Sequence, residues 1–315
     1  MITQDVFGFK VETTQKHLTA HAGLAFFARY MHGLGVGNLV QRLLPPPGSG
    51  RGRQPKTYVE ALVLMLHGGG RVLEDMRILA ADDALRRLLG GETPPSSDAT
   101  GNWLRRMGTS YGVHGLGQVR DALNARIMRR EERRDYTLDA DATAIEAWKR
   151  DAAMTYKEFR GYMPMLGFLA ENEVCIYEEF REGNESPNSR QLEFYTQCVA
   201  SMPKGRRIAR YRADSAHYQA RLINRLDEDN VTWAIAAPMN EAIVDAVKNI
   251  RSYEWRRPPE YKGSEYAWCP HAMNATKKGF MLSVKRTLIR QPDLYRETGP
   301  FRYHVVATNI DACTY

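Results

Sequence analysis

Tyr136-Thr-Leu-Asp-Ala-Asp-Ala-Thr-Ala144 alternates apolar and polar residues and presents two acids, Asp139 and Asp141, before Thr143. Alternation with a period of two marks a strand with one buried face. The stretch therefore predicts a strand that ends in carboxylates. A strand end that carries a carboxylate to the edge of a sheet is a place to hold a hard divalent cation such as magnesium. A second such delivery is read at Arg210-Tyr-Arg-Ala-Asp-Ser215, where Asp214 closes another strand-like run. If the two ends meet, their acids form a metal site; if not, they are ordinary acids capping two strands.

Downstream of Asp141 the pattern continues as a sheet with crossing helices. Met165-Leu-Gly-Phe-Leu169 and Glu173-Val-Cys-Ile-Tyr177 read as the next two strands of an antiparallel meander, and Arg181-Glu-Gly-Asn184 as a turn. Ser189 to Met202 carries apolar residues at helical spacing, Arg207 to Asp214 is a strand, Tyr218 to Leu226 a helix, and Val231 to Ala236 another strand. The order β-β-β-α-β-α-β predicts a mixed α/β sheet of the ribonuclease H-like kind. Residues 238–300 fit that order poorly. They are rich in Trp, Tyr, Arg and Pro and are read as an inserted, partly β subdomain, with a strand over Met281 to Leu288. Phe301 to Thr308 returns to the strand pattern.

Upstream the period is helical throughout. Leu24, Phe27, Met31 and Leu34 mark a first helix and Leu39, Val40, Leu43 and Leu44 a second; Pro45 to Pro55 is a Pro/Gly/Arg loop. Thr57 with Glu60 suggests a capped helix start. Leu73 to Leu89 reads as two short helices, Ser96, Ser97 and Asp98 are possible caps for the segment with Trp103, and a longer helix covers Leu116 to Arg134. The expected organisation is thus an all-helical region over residues 1–135 and an α/β core over 136–315. Arg51, Arg53, Lys56, Arg105, Arg106, Arg126, Arg129, Arg130, Arg133 and Arg134 crowd the helical region. Such clustering suits a module that grips DNA phosphates, or else a solvated face.

The 315 residues carry a net charge of +7, with 43% hydrophobic and 26% charged residues, an ordinary globular composition. The excess of positive charge favours a polyanionic partner. No run of 18 apolar residues and no leader-like N-terminus is present, which points to a cytoplasmic protein without a membrane. Cys175, Cys198, Cys269 and Cys313 are scattered without a C-x-x-C pair and are read as reduced thiols. His217 is read as a helix-start residue rather than a ligand, and Ser215 lacks the glycines of a nucleophile elbow. Arg212 and Lys204 are candidate DNA contacts or plain surface cations. Trp255 and Trp268 are candidates to stack on a flipped base or to fill a small core.

Several short motifs occur in a telling order: Leu18-Thr-Ala-His-Ala-Gly-Leu24, His67-Gly-Gly-Gly-Arg-Val-Leu-Glu-Asp75, Asp82-Asp-Ala-Leu85, Pro94-Pro-Ser-Ser97 with Trp103-Leu104, Leu138-Asp-Ala-Asp-Ala-Thr143, Gly161-Tyr-Met-Pro164, Arg181-Glu-Gly-Asn184 and Tyr211-Arg-Ala-Asp-Ser215. Together they resemble the DDE transposases of bacterial insertion sequences, over nearly the whole chain. The resemblance implies a ribonuclease H-like catalytic core. It also implies that Asp141, directly before Ala-Thr, is the first catalytic and metal-binding acid, ahead of Asp139, and that Asp214 is the second. It implies Mg2+ or Mn2+ as cofactor, with metal-dependent strand cleavage and strand transfer at terminal inverted repeats, terminal-repeat and target DNA as partners, nucleoid association and a homo-oligomer. Members of the family carry a third acid, a glutamate on a helix beyond the strand that Val305-Val-Ala-Thr-Asn309 resembles, and this sequence stops before such a helix. Glu297 and Asp311 are poor substitutes because neither is expected on a helix. The expectation is therefore a C-terminally truncated transposase, inactive alone. The alternatives are a non-catalytic DNA-binding remnant and a stand-alone ribonuclease H-like metal nuclease that uses Asp139 as an added acid.

Overall fold

The computed structural model describes residues 14–258, 263–289 and 300–310. The chain divides into two compact units, Met1–Arg126 and Ile127–Tyr315.

The first unit is helical, as the apolar spacing predicts. It contains α1 (Ala22–Gly33), α2 (Val36–Leu43), α3 (Pro55–His67), α4 (Met76–Ala81), α5 (Asp83–Leu88), α6 (Ser97–Met107) and α7 (Ser110–Met128), whose last residues enter the second unit. Leu24, Met31, Leu39, Val40, Leu64, Met65, Met76, Leu85, Trp103 and Met107 make one apolar core. Local chemistry sets the helix starts. The side chain of Ser96 accepts the Ala99 N–H at 3.2 Å and that of Asp82 the Leu85 N–H at 2.8 Å. The expected Thr57 cap is not used: α3 begins two residues earlier at Pro55, whose missing N–H costs nothing in a first turn. The long helix likewise starts at Ser110 rather than Leu116 and stops at Met128.

The second unit is built on an eight-stranded sheet. Its strands are β1 (Asp135–Ala142), β5 (Met165–Leu169), β6 (Val174–Glu179), β7 (Arg207–Ala213), β8 (Thr232–Ala236), β9 (Ser264–His271), β10 (Phe280–Leu288) and β11 (Phe301–Thr308). Three short strands, β2 (Ile145–Glu146), β3 (Ala153–Met154) and β4 (Arg160–Tyr162), form a separate small sheet in the order β2-β4-β3. The large sheet runs β6-β5-β1-β7-β8-β11-β10-β9. β1, β7 and β8 are parallel, while β5 and β6 are antiparallel to their neighbours. The chain reaches β7 through α8 (Gln191–Ala200) and β8 through α9 (Ala220–Glu228). Three antiparallel strands followed by two parallel additions on the far side of the first is the ribonuclease H-like arrangement.

The core follows from the alternation along β1. Tyr136, Leu138 and Ala140 are buried with Tyr211, Phe194, Leu222 and Trp233. At Gly167 of β5 a Cβ would stand 2.9 Å from the Cys198 sulfur and 3.2 Å from Leu138, so glycine lets α8 lie close on the sheet. Arg181 is buried, donating through Nη1 to the Ser189 carbonyl at 2.8 Å and through Nε to Glu179 at 3.2 Å. A side chain at Gly183 would strike the Gly161 and Ala153 carbonyls. The Arg181–Asn184 turn is thereby pinned against the small sheet.

Residues 238–300, read from the sequence as an insertion, supply α10 (Glu241–Lys248) and the β9–β10 hairpin. The hairpin does not form a sheet of its own: β10 pairs with β11, which pairs with β8, so it widens the central sheet. Asn240 caps α10 by accepting the Ile243 N–H at 3.0 Å.

Candidate active site at the ends of β1 and β7

Along the polar side of β1 and β7 the rungs carry matched charges. Arg207 pairs with Asp135 at 2.8 Å. Arg210 donates to Thr137 Oγ1 at 2.8 Å and to Glu171 at 2.9 Å, and Glu171 also accepts the Thr137 N–H at 2.9 Å. Arg212 grips Asp139 with two parallel bonds of 2.7 and 2.6 Å. The ladder register sets Asp139 opposite Arg212 and Ala140 opposite Ala213. One step further, the next positions are Asp141 and Asp214.

This last step is different because acid faces acid. The Asp214 carboxyl is pushed above the usual aspartate range, first by desolvation at the strand end and further by the negative charge of Asp141, against a hydrogen bond from the Ala216 N–H at 3.0 Å. Asp141 is exposed and has no hydrogen bond or ion pair with another side chain among the described residues. The geometry thus brings together the two acids expected to meet. It also separates Asp139 from them, because both of its oxygens are taken by Arg212. The same bonds tie Arg212 to the sheet, so its guanidinium is not a free DNA contact.

The donor set suits a divalent cation. Asp141 offers both oxygens, and Asp214 offers the one that does not cap the short 3-10 turn Ser215–His217. Two apposed carboxylates repel one another until a cation is placed between them. Among the described residues no group of three or more His, Cys, Asp or Glu side chains is placed to hold a metal ion. Glu297 and Asp311 lie outside the described residues.

Behind Asp214 the turn is anchored by His217. The imidazole is fully buried, with Nδ1 2.5 Å from the Tyr211 hydroxyl, and burial together with the nearby Arg181 cation pulls its pKa down to about 3. It is a neutral packing residue at ordinary pH; it is the last residue of the 3-10 turn rather than the expected helix start, since α9 begins at Ala220. Trp255 is buried beneath the Arg286 guanidinium, 3.8 Å from the ring centre, so it fills the core rather than waiting for a base. Arg126, counted with the basic cluster, donates to the Leu34 carbonyl at the end of α1. No helix among the described residues is long and apolar enough to cross a membrane.

Sequence reasoning passed over one feature beside the acids. Trp148, six residues after the end of β1, leaves 93% of its surface in water. Its signal was an aromatic residue followed by Lys149 and Arg150 just beyond the acidic strand.

No curated protein matches this chain. Among solved structures it is similar to the piggyBac transposase synaptic complex with hairpin DNA, at 12% identity and a TM-score of 0.36. That match covers 96% of this chain and 54% of the other, so the chain spans about half the length of that protein. It is also similar to the Mos1 strand transfer complex, at 15% identity and a TM-score of 0.22, covering 65% of this chain and 70% of that one. The family model described as "Transposase DDE domain group 1" matches residues 6–279, most of the sequence and both strand-end acids. The chain belongs to the transposase DDE domain group 1 family.

Proposed function

We propose that Asp141 and Asp214 hold a divalent cation, Mg2+ or Mn2+, and cut a DNA strand at the terminal inverted repeats of a mobile element, preparing it for strand transfer; cleavage by the purified chain would overturn the expectation that it is inactive alone. One observation carries this reading: the arginines along the polar face of β7 each reach an acid, Arg207 on Asp135, Arg210 on Glu171 beyond Thr137, and Arg212 on Asp139, until the last position, where two acids stand together. A like-charge pair placed where the fold could have set a second arginine is unfavourable unless a cation joins it. When bound, such an ion polarises the phosphate and favours ionisation of an attacking water. The chain's own part is positional. β1 and β7 are neighbouring parallel strands with backbones roughly 4.8 Å apart, and they carry the two acids at adjoining positions just past the last paired residues, Ala140 and Ala213. The Ala216 N–H orients Asp214, and the Arg212–Asp139 pair keeps the neighbouring carboxylate from competing for the ion.

The helical unit is proposed as the module that holds the DNA through Arg51, Arg53, Lys56, Arg105 and Arg106, by phosphate contacts that fix register without reading sequence. The test is Mn2+ binding by the purified chain, followed by electron paramagnetic resonance or calorimetry, beside cleavage of DNA carrying the inverted repeats that flank its gene. Saturable Mn2+ binding by the wild type, lost in both Asp141→Asn and Asp214→Asn, is expected. Unchanged binding in the two variants overturns the assignment.

A further inference from the structure

The β1–β5 hairpin does not end at the acids. Its register runs without a break from Leu138 opposite Leu169 to Ala142 opposite Met165. It then continues through the Thr143 N–H to the Pro164 carbonyl at 3.0 Å, to Ile145 opposite Tyr162 and Glu146 opposite Gly161, and to the Ala147 N–H on the Arg160 carbonyl at 2.9 Å. β2 and β4 are thus the outer half of one long hairpin whose inner half carries Asp141. The added strand β3 and the packed Arg181–Asn184 turn stiffen it. Trp148 follows directly, no more than about 23 Å along the chain from Asp141 at 3.3 Å per residue.

The surface of this extension is unusual for a soluble protein. Of the five tryptophans, Trp103, Trp233 and Trp255 are buried and Trp268 is partly covered, whereas Trp148 is 93% exposed. Tyr156, Met154, Ile145 and Phe180 are exposed with it, and the Phe180 ring packs against Tyr162 of β4 at 5.0 Å, tilted by 48°. Large apolar groups gathered in water mark a contact surface. Lys149, Arg150, Lys157 and Arg160 lie among them, but Glu146, Asp151 and Glu158 nearly balance these charges. A surface of this kind gains little from phosphates in bulk. Its strongest asset is a flat aromatic face beside a few cations, the combination that stacks an unpaired base and steadies its own phosphate.

We propose that the extension, with Trp148 as its platform, stacks an unpaired nucleotide of the DNA end held at Asp141 and Asp214. The proposal rests on the DNA-cutting reading of those acids, and continuity with that site is what favours DNA over another occupant. An unpaired terminal base would be drawn away from the duplex and its strand fixed relative to the acids. Removing the ring is expected to weaken binding of a single unpaired base roughly 5- to 150-fold.

The experiment titrates the whole chain, without metal, against two hairpin DNAs: one blunt, and one with a short single-stranded overhang carrying 2-aminopurine. Tryptophan quenching and 2-aminopurine emission are read together. The wild type should bind the overhang DNA more tightly than the blunt DNA and show both signals. Trp148→Ala should bind overhang DNA no better than blunt, and Trp148→Phe should keep part of the preference. Circular dichroism checks that each variant is folded. Equal affinity of wild type and Trp148→Ala for overhang DNA overturns the proposal. So does a wild type indifferent to the overhang, or a Trp148→Ala change seen only in the oligomeric state, which would make a second copy the occupant. Mn2+ binding by wild type and Asp141→Asn, measured in parallel, separates the two readings: a wild type that binds Mn2+ through Asp141 but shows no overhang preference defeats this proposal alone, and an overhang preference that depends on Trp148 with Mn2+ binding unchanged in Asp141→Asn defeats the metal assignment alone.

Discussion

The middle and the end of the β1/β7 ladder are made from the same parts and have opposite electrostatics. In the middle, Asp139 of β1 meets Arg212 of β7, while Arg210 of β7 bonds to Thr137 of β1 and to Glu171 in the turn between β5 and β6. At the end, Asp141 meets Asp214 and the charge is left open. Backbone geometry is continuous across both regions, so the sheet does not explain the difference; the residue on β7 does. A fold under pressure for stability alone would repeat the arginine once more. Two acids of one strand thus stand in opposite surroundings, and the proposed metal role goes to the one whose opposite residue is not a cation.

The sharpest way to break this contrast is to neutralise the two aspartates of β1 separately. Asp141→Asn is expected to lower DNA cleavage by more than about 100-fold, beyond the 10- to 100-fold typical of groups that only support a metal ligand. Asp139→Asn should stay within a few-fold in the same cleavage assay. A reversed result would move the metal to the Arg212-bound acid. The next largest effect belongs to the middle of the ladder. Glu171 accepts from the Thr137 N–H, the Thr137 hydroxyl and Arg210, and although burial opposes its charge these bonds hold its pKa below the usual glutamate range. Glu171→Gln should cost about 1.5–3 kcal/mol in urea unfolding at neutral pH, as for charged hydrogen bonds.

How much of this was legible in advance follows from the range over which each signal acts. The alternation of Tyr136, Leu138 and Ala140 against Thr137, Asp139 and Asp141 is local, and it placed β1 to within two residues at its start and one at its end. The same holds for the apolar spacing of α8 and α9. Register is not local. Nothing within Leu138–Thr143 says which acid will find Arg212 opposite it, because that depends on the pairing of β1 with a strand more than sixty residues later. Choosing Asp141 needed the family resemblance; the structure adds that Asp139 is held by Arg212, and the proposed site takes Asp141 for that reason. The region after Pro238 was misjudged for a related cause. Its Trp, Tyr and Arg content looks like a small domain in isolation, but Trp255, Ala267, Phe280, Leu282 and Val284 join the main core. Trp148 was missed because exposure cannot be read from composition: an aromatic residue next to charged ones is usually covered by something distant in the chain.

The middle and the end of the ladder should also answer pH with opposite signs. Asp214 has a folded pKa raised above its unfolded value of 3.8, so the folded state holds that proton more tightly. Its contribution to stability is present below pH 3.8 and is lost as pH rises through the raised value. Asp214→Asn should therefore stabilise the metal-free protein at pH 7, with the gain vanishing toward pH 3.5. Glu171 runs the other way: its contribution is present above about 4.5 and disappears on acidification, so Glu171→Gln should matter at pH 7 and little at pH 3. Thermal unfolding of the three proteins across pH 3 to 7 measures both slopes, and parallel curves would mean that the two acids sit in equivalent environments.

The smallest effect tests the contrast at its narrowest point. Asp139 and Arg212 are both substantially exposed, with side chains 38% and 59% accessible, so their bidentate geometry is screened by water. A double-mutant cycle with Asp139→Asn and Arg212→Gln should give a coupling of about 0.2–1 kcal/mol that shrinks in high salt. A small coupling is what the proposed division of labour requires, since the pair need only occupy Asp139, not stabilise the sheet. If the coupling is instead several kcal/mol, the Arg212 contact is a structural keystone. The weak cleavage phenotype expected of Asp139→Asn would then be masked by unfolding, and Asp141 and Asp139 would have to be told apart by Mn2+ binding at a temperature where both variants remain folded.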